Sequence, residues 1–312
     1  MTRIEFQGVS KSFGGGASRI DAVRDVSFEA TGGETLGILG PNGAGKTTII
    51  RMLLDVFRPD AGEIRVDGGL NGNRLDTFRR RVAYLPEERG LYQKRKISDV
   101  IEYTGALRGL SRAETRDRAT PLLERFELAA YARKKVATLS KGMSQKLQIL
   151  LSVLHDPDVL IFDEPFSGLD PVNVRLVRRL VLEHRERGKL VCLCTHMMSE
   201  VQALCDRVMM MHRGSRVLYG PLQEIRRAHT DYQVTVDIDA APEGLACVDR
   251  VERVENSKNV YLKEGRTLSD FLREMAMAGR TMRHMSEGLR SIEDVFVSVA
   301  GASRVSVSGE AK

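Results

Sequence analysis

The chain has 312 residues, of which 42% are hydrophobic and 29% charged, and a net charge of +6. That length holds a sizeable core and two domains, and the balance is that of a globular chain rather than a disordered one. The modest positive charge suits a face near anionic lipid or phosphates but reads first as a mildly basic solvated surface. With no Trp and no Lys/Arg run interleaved with aromatics, nothing argues for nucleic-acid binding.

In chain order, residues 1 to about 35 read as strands, IEFQGVSKSF and AVRDVSFEA, separated by the flexible GGGAS at 14–18. The opening MTRIEFQGVSKSF has no apolar signal segment, and no apolar stretch reaches the roughly 20 residues that span a bilayer. The apolar run Thr35 to Leu39 leads into Gly40-Pro41-Asn42-Gly43-Ala44-Gly45-Lys46-Thr47-Thr48, followed by a helical pattern from Ile49 to Phe57. Strand, glycine loop and helix form the context of a phosphate-binding loop. Gly40, Gly43 and Gly45 let the backbone curl so that successive N–H groups face phosphate oxygens, with a helix N-terminus behind them. Lys46 can reach the β- and γ-phosphates and the Thr47 hydroxyl can ligate magnesium. The expected ligand is a nucleoside triphosphate.

A turn, Arg58-Pro-Asp-Ala-Gly62, and a strand, EIRVDG, come next. Residues 97 to about 137, rich in Leu, Ala, Arg and Glu at helical spacing, read as a helical insert. An α/β pattern then returns: helix LQILLSVL, buried strand DVLIFDEP, amphipathic helix PVNVRLVRRLVLEHRERG and buried strand KLVCLCTH. Asp163 and Glu164 end the first of these strands. At a strand tip beside a phosphate loop, Asp163 can hold magnesium directly or through water, and Glu164 can orient the attacking water or accept its proton. The four cysteines lack metal-ligand or disulfide spacing and read as buried thiols of a reducing compartment. From about Thr230 the strands YQVTVDID and NVYLKEG and the helices TLSDFLREMAMAG and SIEDVFVSVAG outline a small α+β domain, and SRVSVSGEAK reads as a frayed tail.

The ordered set GPNGAGKTT, LSKGM, LIFDEP, SGLD and a downstream TH resembles the nucleotide-binding subunit of an ABC transporter, over residues 3 to 225. The resemblance implies an α/β P-loop NTPase fold of ABC ATPase type at 1–228, with N-terminal antiparallel strands and the insert at 97–137. A small C-terminal α+β accessory domain at 229–301 and a flexible tail at 302–312 would follow. Ser140 and Gly142 fall where the family's LSGGQ signature closes on the γ-phosphate of ATP held by a second subunit; Lys141 and Met143 depart from it. Asp170 falls in the D-loop that crosses the dimer interface, His196 at the switch histidine near the catalytic water, and Phe13 where an aromatic stacks on adenine. Glu87 occupies the Q-loop position, where glutamine is usual; it could approach magnesium or pair with a basic partner surface. EERGLY, LSKGM and the end SIEDVF are similar to the sodium- or drug-export subgroup of bacteria. The family implies ATP and magnesium as cofactors and pairing with a second copy or a sibling. It also implies a separate integral membrane permease as partner, a place on the cytoplasmic face of the membrane, and no nucleic acid. A soluble ATPase of translation or DNA maintenance is disfavoured by a single set of motifs and by the lack of heptads between Gly45 and Ser140. A binding module that never hydrolyses is disfavoured by intact Glu164 and His196.

Overall fold

The computed structural model describes residues 2–70, 78, 80–87, 90–228, 233–237, 239–263, 265–288, 292–297 and 299. The chain divides into two compact units, residues 1–220 and 221–312.

In the first unit, the alternating N-terminal segments form strands β1 (Arg3–Phe13) and β2 (Ile20–Thr31), which pair antiparallel. With β4 (Ala61–Val66) and β5 (Gly69–Leu70) they make a sheet of order β2-β1-β4-β5. A second, six-stranded sheet has the order β10-β9-β3-β8-β7-β6. Its members are β3 (Thr35–Leu39), β6 (Val82–Leu85), β7 (Val159–Asp163), β8 (Leu190–Cys194), β9 (Arg207–His212) and β10 (Ser215–Pro221). β3, β7 and β8 are continuous apolar runs, buried at every position. That is the pattern of parallel strands covered on both faces. Helix α1 (Lys46–Leu53) contributes Ile49, Ile50, Met52 and Leu53 to a core shared with Phe6 and Phe28 of the antiparallel sheet and Ile161 and Cys192 of the parallel one.

The insert consists of α2 (Ile97–Leu107) and α3 (Arg112–Arg125), the latter begun by a capping box between Ser111 and Glu114. Helix α4 (Lys141–Val153) is longer than LQILLSVL and starts within the LSKGM segment, where the Ser140 hydroxyl accepts the Met143 N–H at 3.2 Å. Helices α5 (Pro171–Glu186) and α6 (Met198–Leu204) follow β7 and β8.

The second unit begins with α7 (Leu222–Ala228) and holds an antiparallel sheet of order β12-β13-β11-β14. Its strands are β11 (Gln233–Asp237), β12 (Val248–Val254), β13 (Ser257–Leu262) and β14 (Met285–Gly288). Phe271 and Met275 of α8 (Leu268–Met277) join its core. β12 and β14 were not foreseen: β12 leaves most of its charged side chains in solvent, and the short MSEG has no apolar alternation. The expected tail at 302–312 lies outside the described residues. All four cysteines are free and buried.

His155, just beyond α4, is 9% exposed, with neither ring nitrogen in a formed hydrogen bond among the described residues. Burial, reinforced by the Arg108 guanidinium, pushes its pKa from 6.5 down to about 4. The unfolded chain therefore binds a proton below about pH 6.5 that the folded chain refuses until about pH 4, so stability is lost as pH falls through this window. His155→Leu removes this loss. Thermal unfolding of the two chains should diverge on acidification, by about 1–2 kcal/mol near pH 5. Parallel pH curves would show that His155 is not the acid-sensitive group.

Candidate active site

Three parallel strand tips meet at one edge of the central sheet. β3 runs into the Gly40–Thr48 loop, β7 ends on Asp163, and β8 continues into Thr195 and His196. The registers Ile38↔Cys194 and Asp163↔Cys194 set the three ends level.

The loop is shaped by close backbone approaches. A Cβ on Gly40 (φ 145°) would lie 2.3 Å from the Met211 carbonyl oxygen, and one on Gly45 (φ 104°) 2.4 Å from that of Ala22. Both obstacles are main chain, so no other residue fits without moving a strand. Gly45 is the N-cap of α1 and offers no side-chain acceptor, which leaves the first helical amides and the positive end of the helix dipole for an anion. Lys46 curls over its own loop, its Nζ donating to the carbonyls of Gly40 at 2.7 Å and Pro41 at 3.1 Å.

In front of the loop lies a cleft of about 750 Å³. Residues 42–48 line it together with Phe13, Glu87, Asp163, Glu164 and His196. Gly40 and Pro41 are not among its lining and reach it only through Lys46. Phe13 stands edge-on to Phe57, ring centroids 5.1 Å apart, and remains 36% exposed. Phe57 supports the ring and the Lys11 Nζ lies over it, 5.6 Å from the centroid, while part of its surface stays exposed at the cleft.

Glu164 sits at φ 50°, a left-handed conformation that is costly for a side chain of this kind. It is held there by its N–H bond to the Cys194 carbonyl (2.8 Å) on the neighbouring strand. Its carboxylate takes the Thr195 hydroxyl at 3.2 Å on one oxygen and the His196 N–H at 3.0 Å on the other. His196 Nδ1 lies 2.9 Å from that second oxygen. As the donor in that contact, Nδ1 would carry the ring proton and leave Nε2 available. Asp163 is buried, and burial first, then the neighbouring charges of Glu87 and Glu164, raise its pKa to about 6 against the opposing pull of Lys46 and Arg51. Such a group calls for a cation. Among the described residues no three acidic or imidazole groups form a protein-only metal cage. Hydroxyl and carboxylate oxygens completed by phosphate oxygens are the donor set magnesium takes.

Ser140, Gly142 and Asp170 are not brought to this cleft. Asp170 caps α5, accepting the Val172 and Asn173 N–H groups at 2.9 Å each, and these bonds hold its carboxyl below the usual range. A Cβ on Gly142 would lie 3.6 Å from the Gly168 carbonyl, so the start of α4 and the SGLD turn share one patch. Conversely, Asp21, Arg24 and Arg213 line the cleft although sequence reasoning passed over them. Arg213-Gly214 reads as a hairpin turn between apolar segments, but nothing local indicates that its tip meets a loop some 170 positions upstream.

Residues 23–167 match the family model described as ABC transporter, and residues 220–300 match the C-terminal domain of DrrA1-3-like ATP-binding proteins. An uncharacterised ABC transporter ATP-binding protein of Methanocaldococcus jannaschii is 39% identical over 74% of this chain and 82% of its own length. Nod factor export ATP-binding protein I of a Rhizobium species is 33% identical over 96% of this chain and 97% of its own. Among solved structures, an ATP-binding subunit of an ABC transporter superposes with a TM-score of 0.66 at 33% identity, covering 72% of this chain and 92% of that one. The cassette MJ0796, in a dimeric post-hydrolysis state bound to ADP and Pi, shares the fold with a TM-score of 0.64 at 24% identity, over 70% of this chain and 98% of its own.

Gly45→Ala tests the loop geometry directly. The added methyl meets the Ala22 carbonyl at a φ that alanine resists, so stability should fall by more than about 1 kcal/mol and ATP affinity by at least tenfold. Unchanged melting and unchanged affinity would refute this account of the loop.

Proposed function

The chain belongs to the ATP-binding proteins of ABC transporters, a family of ATPases, and on that premise we propose that it is the motor subunit of an exporter. It pairs with a second copy or a sibling on ATP and drives conformational change in a separate integral membrane permease, from the cytoplasmic face of the membrane. The observation that carries this reading is the split between two sets of residues. Residues 42–48, Asp163, Glu164 and His196 line one cleft, whereas Ser140, Gly142 and Asp170 are outside its lining and Gly142 approaches Gly168 of the SGLD turn. A head-to-tail pair supplies the second set of one copy to the cleft of the other. Export is supported by the Nod factor export relative, which matches along nearly its whole length. In this scheme residues 1–228 are the ATPase domain, with the insert at 97–137 and the Glu87 loop meeting the permease. Residues 229–301 are an accessory domain and 302–312 a tail.

Within the site, Phe13 stacks on adenine, and the amides of 42–48 with Lys46 cradle the phosphates. Thr47, Asp163 and Glu87 would hold magnesium, which supplies charge neutralisation on the phosphates. Glu164, with one carboxylate oxygen positioned by Thr195 and the other by His196, orients water and accepts its proton as the phosphoryl group leaves. Thr48, next in the loop, closes the cradle. His196 reaches the terminal phosphate through Nε2. Charge stabilisation is the main demand of phosphoryl transfer, so a cleft without the partner's signature turns over slowly.

Glu164→Gln should keep ATP binding, lose at least about a hundredfold in turnover and accumulate the closed pair. Wild-type turnover would remove Glu164 from this role. Held closed in this way with ATP, the protein should capture a multi-spanning membrane protein from detergent-solubilised membranes of its own source. Recovery of ribosomal or DNA-maintenance proteins instead would replace the transporter reading with a soluble ATPase.

A further inference from the structure

Arg213 and Gly214 join β9 to β10, and both are left-handed, at φ 48° and 83°. This is the backbone of a type I′ hairpin turn, whose first position is usually filled by Asn, Asp or Gly. An arginine there is held against local preference. The turn is tied on both sides. The Arg24 N–H donates to the Gly214 carbonyl at 2.8 Å, and the Gly214 N–H donates to the Ala44 carbonyl at 3.1 Å. The hairpin tip is thus fastened to the floor of the nucleotide cleft, and Arg213 is among the residues that line that cleft. Arg19 and Arg24 both face the Asp21 carboxylate. Arg213 is exposed, and among the described residues no carboxylate pairs with it.

Sheet order gives the cleft a polarity. β8 and β7 lie on one side of β3 and carry Asp163, Glu164 and His196 at their tips; β9 lies on the other side and carries Arg213. A triphosphate whose terminal phosphate reaches Lys46 and Glu164 runs back along the loop toward the β9 side. The geometry points to Arg213 as a further binding residue, one that holds the phosphate nearest the nucleoside, an inference that rests on the nucleotide reading of the cleft. That phosphate is common to ATP and ADP, so the contact is blind to hydrolysis. Arginine suits it because its guanidinium is planar, permanently charged and matched to two phosphate oxygens.

The test is binding of ATP and of ADP to the full chain, measured separately by titration. Arg213→Asn removes the charge with a residue the left-handed turn accepts, so the fold is spared. It should weaken both nucleotides by the same factor, about three- to tenfold, and Arg213→Lys should restore affinity to within about twofold of wild type. Unchanged affinity in Arg213→Asn, or a loss confined to ATP, overturns the assignment. Lys46→Ala separates the two readings. If it weakens ATP binding while Arg213→Asn does not, only the role of Arg213 fails. If neither variant alters binding, the nucleotide reading of the cleft fails with it.

Discussion

Everything in the candidate site depends on parallel pairing among strands that are buried along their whole length. β3, β7 and β8 can present polar groups only where they leave the sheet, because inside it both faces are covered. Parallel direction puts all three exits on one edge, and the register sets them level. The apolar sequence of each strand is therefore part of the chemistry. A one-residue slip of β7 against β8 would exchange Asp163 with Glu164 at the tip and turn one of them back into the core.

Two kinds of local cost are concentrated at that edge. The loop approaches neighbouring backbone so closely at Gly40 and Gly45 that a methyl group has no room, and Glu164 takes a left-handed conformation with its N–H bonded to Cys194 and its carboxylate to Thr195 and His196. The charges are unsettled as well: Asp163 titrates near 6 because it is buried among other acids. Strain is tolerated where the surrounding sheet is rigid, and a buried carboxylate among other acids is a group that a cation would balance.

Much of this was legible in the sequence. The glycine loop, the DEP strand tip and the TH after a buried strand each carry local signals, because a turn needing left-handed glycines and an all-apolar strand leave marks in consecutive residues. What could not be read was convergence from distant parts of the chain. Arg213 reaches the cleft through a hydrogen bond between Gly214 and Ala44, and Asp21 through the antiparallel register Ser12↔Asp21. In the second unit, β12 escaped notice because its charged residues face solvent without a clean period of two. The departures at Glu87, Lys141 and Met143 are visible as departures. Met143 still contributes its amide to the Ser140 cap, a bond indifferent to the side chain, so the helix start survives the change.

The Gln145 side chain donates to the Pro165 carbonyl at 3.2 Å, bridging α4 to the residue that follows Glu164. Together with the approach of Gly142 to Gly168, this ties the start of α4 and the SGLD turn, the surface proposed to meet a partner, to the strand tip that carries the chain's own acid. In a head-to-tail pair, each subunit is thereby donor to one site and host of the other through the same few residues. In a pair so arranged, a shift that one nucleotide makes at its strand tip would pass through that subunit's lent surface to the other site, and by linkage the two binding affinities would change by the same factor.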